Sequence, residues 1–129
     1  NEKYNIFSKV DFAICASGTV TMELAKALTP MLVVYKLNFL TWLIVKFMAK
    51  VKTATILNLV LGKNIIPELF QGDASAEKIF SIANNYLNND KLRKDQVEQL
   101  RIGINKIKNL NGNPSNLAVN SIVKMLNNS

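Results

Sequence analysis

A chain of 129 residues, 49% of them apolar, has the size of one domain and is too apolar for disorder. It contains no histidine, which excludes the usual serine and cysteine triads, histidine general bases and most zinc ligand sets; the single Cys15 excludes an internal disulfide. The net charge of +7 comes from 14 lysines against two arginines, a balance suited to anionic membrane surfaces or to solubility, whereas nucleic-acid readers lean on arginine forks and interleaved aromatics.

In chain order, Val10 to Ala16 predicts a short buried strand. Thr19 to Leu28 predicts a helix with Val20, Leu24, Ala27 and Leu28 on a helical period. Pro30 opens a second apolar run, Met31 to Tyr35, rich in β-formers and too short for a helix. Strand, helix and strand in this order make a βαβ unit with parallel strands, and ligands of such sheets bind at the carboxyl ends of the strands. A third strand is expected at Thr53 to Leu57. Beyond Gly62 the pattern predicts only helices: a short one opened by Pro67, then about Ser75 to Asn88, about Leu92 to Leu110, and a last one after Asn113-Pro114.

The expected fold class is therefore α/β, an incomplete Rossmann-like parallel sheet of about three strands with a helical carboxyl-terminal tail. Residues 1–72 form the βα core of this reading, and residues 73–129 a helical segment of the same domain. Sheets of this kind usually carry more strands, covered on both faces. Further strands are expected upstream, and the apolar surface left by their absence predicts self-association, such as a homodimer.

The stretch ASGTVTMELA places a small polar turn, Ser17-Gly18-Thr19, between the first strand and its helix. A helix N-terminus offers unpaired N-H groups and the positive end of the dipole, glycine allows close approach of an anion, and the hydroxyls add donors. Glu23 lies four residues beyond Thr19 on the same helix face. A diphosphate at the turn would set its ribose beside that carboxylate. The plainer alternative is a cap at Ser17 or Thr19 with Glu23 favouring the dipole; a capping box needs Glu or Gln at position 20 or 22, which are Val20 and Met22. The P-loop pattern is absent, and Cys15 and Thr19 occupy the glycine positions of a nucleophile elbow.

The stretch LNFLTWLIVKFMAK is apolar almost all round a helical projection, with Lys46 and Lys50 four apart. It is too short and too interrupted to span a membrane, which takes about 20 predominantly apolar residues. Two readings stay open: an interfacial helix presenting Phe39, Trp42 and Phe47 to lipid, or a helix buried against another part of the molecule.

Taken together, ASGTVTMELA, TPMLVVYK, FLTWLIVKFM and ILNLVLGKNIIPELFQ, in this order, resemble the carboxyl-terminal region of the lipid-A-disaccharide synthase family. The resemblance implies a GT-B fold of two Rossmann-like domains. The activity it implies is transfer of diacylglucosamine from UDP-2,3-diacylglucosamine to 2,3-diacylglucosamine 1-phosphate, a lipid acceptor, with release of UDP. By that resemblance Ser17, Gly18 and Thr19 hold the UDP diphosphate and Glu23 the ribose. Tyr35, Lys36, Asn58 and Lys63 match positions that contact phosphate or acceptor, and Pro67-Glu68-Leu69 with Gln71 match a further motif that adds Glu68 and Gln71 to the implied site residues. Leu57 stands where the family usually has proline, which predicts a less rigid loop at Asn58; Lys63 replaces the commoner arginine.

No cofactor is implied, because the UDP-sugar is a substrate and helix dipole, backbone donors and lysines stand in for a metal. No catalytic base is recognisable in the chain, and the resemblance assigns it to an amino-terminal domain. The implied location is cytoplasmic, peripheral on the inner membrane of a Gram-negative bacterium. The rival reading is a non-catalytic basic module binding membrane or protein, a truncated relic of the enzyme.

Overall fold

The computed structural model describes residues 2–16, 18–36 and 53–109. Its elements run α1 (Glu2–Phe7), β1 (Ala13–Cys15), α2 (Gly18–Lys26), β2 (Met31–Tyr35), α3 (Ile56–Leu61), β3 (Glu68–Phe70), a 3-10 turn (Gln71–Asp73), α4 (Ala76–Asn88) and α5 (Asp90–Asn109). The three strands form one parallel sheet in the order β1-β2-β3, with Cys15 opposite Val33 and Tyr35 opposite Phe70. This is the α/β, partial Rossmann-like arrangement expected of the sequence.

Each crossover ends for a local reason. α2 stops two residues before Leu28 because Leu28 turns left-handed (φ 58°), its N-H returning to the Ala25 carbonyl at 3.0 Å while the Thr29 N-H reaches Leu24 at 3.0 Å. That pair of bonds closes a helix C-terminus, and Pro30 prevents any continuation. Thr29 also donates to the Phe7 carbonyl at 2.8 Å, which ties α1 to the start of β2.

The second crossover corrects two expectations. Thr53 to Leu57 is not a strand: Ile56–Leu61 is helical, and the third strand is Glu68–Phe70, where Pro67 was expected to open a helix. An apolar run buried on every side has no periodicity to separate helix from strand. Leu57, Asn58, Leu59 and Val60 are all buried, so ILNLVL is such a run. Gly62 supplies the stop, at φ 62°, with its N-H and that of Lys63 turned back into the helix. Pro67 lacks an N-H but needs none here, since its carbonyl accepts the Val33 N-H at 3.0 Å and begins the β2–β3 ladder.

Met31 and Val33 of β2 and Cys15 of β1 point to one face, where Leu24, Leu57, Val60, Leu100, Ile104 and Ile107 close the core. β1 is an edge strand among the described residues, and its Ile14 is 53% exposed. α5 begins at Asp90 rather than near Leu92 because Asn89 caps it, its side chain accepting the Leu92 N-H at 3.1 Å. Gln96 is buried on the apolar stripe of α5. Its oxygen accepts the Met31 N-H at 2.7 Å, and its nitrogen donates to the carbonyls of Ile65 (2.8 Å) and Met31 (3.2 Å) and to the Tyr86 hydroxyl (3.3 Å). One amide thus joins α5 to β2, to α4 and to the loop before β3.

α5 approaches α3 through Gly103, where a Cβ would stand 2.7 Å from Leu57 Cδ2 and 3.3 Å from Leu61 Cδ1. Leu57 is fully buried and has little room to move. Gly103→Val is therefore expected to lower stability by about 2 kcal/mol, overpacking outweighing the helix propensity regained. Urea denaturation of the two proteins measures it; equal midpoints would mean the helices part without cost.

Ser17, the stretch containing Phe39, Trp42 and Phe47, and the helix expected after Asn113-Pro114 lie outside the described residues. Among the described residues no helix is long and apolar enough to cross a membrane.

Candidate functional site

In a parallel sheet every strand ends on the same edge. The register puts Cys15 level with Val33 and Phe70 level with Tyr35, so Ala16, Tyr35-Lys36 and Gln71 leave the sheet together. α2 starts on that edge. Its first residues Gly18 and Thr19 are exposed, Glu23 is half-buried one turn further in, and Lys36 is exposed at the end of β2. Gly18 has open space where a Cβ would stand, as close approach of a ligand to the backbone requires. The helix runs for nine residues, long enough to present a dipole end, which favours a nearby anion by about 0.3–1 kcal/mol at exposed sites. Below it, buried Thr21 packs its hydroxyl 3.5 Å from the Cys15 thiol, and Cys15 lies 3.7 Å from the Leu32 carbonyl. This cysteine is an internal packing group.

Tyr35 stacks on Phe70, ring centroids 4.9 Å apart. Its hydroxyl oxygen is buried without a hydrogen-bond partner. Burial pushes the phenol above its ordinary pKa; the neighbouring Thr55 hydroxyl opposes this and the Glu68 carboxylate reinforces it. Gln71 holds a left-handed backbone (φ 48°) at the end of β3, a conformation costly for a side chain with a Cβ.

Two residues matched by the resemblance are placed differently. Asn58 is 1% exposed and its amide is used inside the chain: the oxygen accepts the N-H groups of Ile65 (3.0 Å) and Ile66 (2.9 Å), and the nitrogen donates to the Ile66 carbonyl (2.8 Å) and Asn64 (3.1 Å). It sits in the buried helix α3, where a loop of reduced rigidity was expected, and Leu57 packs against Gly103. Lys63 is exposed just after Gly62, two residues before Ile65, whose carbonyl shares Gln96 with Met31. That is the amino-terminal end of β2, so Lys63 does not join Gly18, Thr19 and Lys36.

Glu68 opens β3 half-buried, its carboxylate turned toward residues 53–55. Sequence reasoning did not single out Thr53, Thr55 or Gln96. For Gln96 a signal existed: it precedes Leu100 and Ile104 by one and two turns, a polar residue on an apolar stripe.

A cavity of about 410 Å³ lies elsewhere, between Pro30 and α5, lined by Asp11, Asp90, Arg93, Glu98 and Arg101. It opens at the amino ends of the strands, and its arginines are spent on Asp90 and Glu98. The carboxyl edge is the better candidate for a ligand.

The sequence comparisons bear on which ligand. The family model described as lipid-A-disaccharide synthetase matches residues 1–122. The chain belongs to that family. It is similar to the lipid-A-disaccharide synthase of Anaeromyxobacter sp. (strain K), 37% identical over 91 residues, which is 70% of this chain and 24% of the relative. The synthase of Rickettsia conorii is 36% identical over 97 residues, 75% of this chain and 22% of the relative. That of Nitrosococcus oceani is 36% identical over 99 residues, 77% and 25%. The chain thus spans about a quarter of the length of the synthases it matches.

Proposed function

We propose that this chain is the donor-binding part of a glycosyltransferase that moves 2,3-diacylglucosamine from UDP to 2,3-diacylglucosamine 1-phosphate, forming the lipid A disaccharide. The observation that carries the reading is that Gly18 and Thr19 at the start of α2 and Lys36 at the end of β2 share the carboxyl edge of a parallel sheet, in a chain of this family. In this reading the N-H groups of the first turn and the Lys36 ammonium receive the diphosphate. They stabilise the charge that builds on UDP as it leaves, without a metal. Glu23 takes the ribose hydroxyls. Transfer also needs a base for the attacking hydroxyl and a pocket for the acceptor. Those groups belong to the part of the relatives that this chain does not span, so the chain alone is inactive. Phe39, Trp42 and Phe47, flanked by lysines, serve the membrane surface from which acylated sugars are drawn; that role rests on sequence alone. A homodimer through the open apolar surface at β1 belongs to the same proposal.

Calorimetric titration of the chain with UDP is expected to show saturable binding, undiminished by a chelator. Glu23→Ala is expected to weaken it about tenfold, the loss of roughly one charge-assisted hydrogen bond. Binding of anionic liposomes without binding of UDP would favour the non-catalytic module instead.

A further inference from the structure

The carboxylate of Glu68 receives four donors. The Thr53 hydroxyl and the Asn58 amide (3.4 Å) reach Oε2, and the Ala54 N-H (3.1 Å) and the Thr55 hydroxyl (2.5 Å) reach Oε1. The Asn58 amide, whose two hydrogens also serve the Ile66 carbonyl and Asn64, makes a longer shared contact. Three full donors and one shared one thus take up, from within the chain, most of the roughly four lone-pair positions of an ionised carboxylate. The Tyr35 hydroxyl is buried beside this cluster, close enough to Thr55 and Glu68 for both to bear on its ionisation. The donors come from separate places in the chain. Residues 53–55 lead into α3, Asn58 lies inside α3 and holds the loop at Ile65 and Ile66, and Glu68 starts the strand whose end stacks on Tyr35.

We propose that Glu68 is a positioning residue: by holding Thr53, Ala54, Thr55 and Asn58 against the start of β3 it fixes the wall beside Tyr35-Lys36, and it makes no contact with the donor itself. The motif match placed Glu68 among the residues of a binding site; the geometry gives it this different task. Only the effect on UDP affinity rests on the donor-binding reading above.

Two readouts on the chain separate the possibilities: amide hydrogen exchange at Ala54 by NMR, and UDP affinity by calorimetry, for Glu68→Ala and Glu68→Gln. Exchange at Ala54 is expected to quicken tenfold or more in E68A, with UDP affinity about three- to tenfold weaker. E68Q, which keeps an acceptor for the Ala54 N-H, is expected to recover most of both. Ala54 exchange that stays at the parent rate in folded E68A overturns the proposal. So does loss of UDP binding in E68Q with Ala54 exchange unchanged, because that is the behaviour of a direct contact. If the parent chain binds no UDP, the donor reading fails while the Ala54 measurement still decides the role of Glu68. Should E68A not fold, E68Q carries the same two readouts.

Discussion

Asn58→Ala is expected to cost about 2–4 kcal/mol. The volume removed is small, so a cavity is a minor part of the effect. What matters is the groups left behind. The N-H and the carbonyl of Ile66 lose their partner, and Ile66 is fully buried, while the Ile65 N-H keeps the Lys63 carbonyl at 3.1 Å. Each buried orphan costs about 1–3 kcal/mol, and local relaxation recovers part of the sum. Asn58→Asp separates the two halves of the clamp. It keeps acceptors for the two N-H groups but turns a donor into an acceptor facing the Ile66 carbonyl and Glu68, so it is expected to recover little of the loss. Equilibrium urea unfolding at constant slope measures both variants. A loss below about 1 kcal/mol for N58A would show that the clamp is dispensable and would return Asn58 to the candidates for ligand contact.

Gln96→Leu is expected to cost about 2–4 kcal/mol although leucine suits the apolar stripe better than glutamine. The gain from burying a larger apolar group is outweighed because the Met31 N-H and the Ile65 carbonyl have no other partner at hand. Gln96→Glu is expected to be worse at neutral pH. It retains the acceptor for Met31 but sets a buried negative charge against the carbonyls of Met31 and Ile65. If Q96L proved as stable as the parent, the amide would be a passenger on α5 and the anchorage of that helix would be purely apolar. Thermal unfolding of the three proteins at one pH distinguishes these outcomes.

Much of the carboxyl edge was legible in the sequence because local rules govern it. Met31–Tyr35 is bounded by Pro30 and built of β-formers, and a strand, a glycine-containing turn and a helix in succession leave little choice of geometry for Gly18 and Thr19. The helix starts were legible to within two residues: Ser75, expected as the first residue of α4, caps it, and Asn89 caps α5, which begins two residues ahead of the expected Leu92. The stretch ILNLVL resisted the same reading. With every side buried it has no polar face to mark a period, so strand and helix were equally written in it. The motif match alone did not show that Asn58 is buried inside the chain while Lys63 is exposed after α3.

The sequence by itself determined the class of this protein: an α/β chain with a parallel βαβ unit, a small polar stretch ahead of a helix, and the ordered motifs of the lipid-A-disaccharide synthase family. These are short-range patterns, fixed by propensity, turn chemistry and residue order. Only the tertiary structure decided which polar side chains face outward to a ligand and which are consumed in holding the chain together. Asn58, Glu68 and Gln96 look no different from binding residues in a one-dimensional string. Their partners lie from six to 65 residues away, and whether an amide or carboxylate is free is settled by what the fold brings to it.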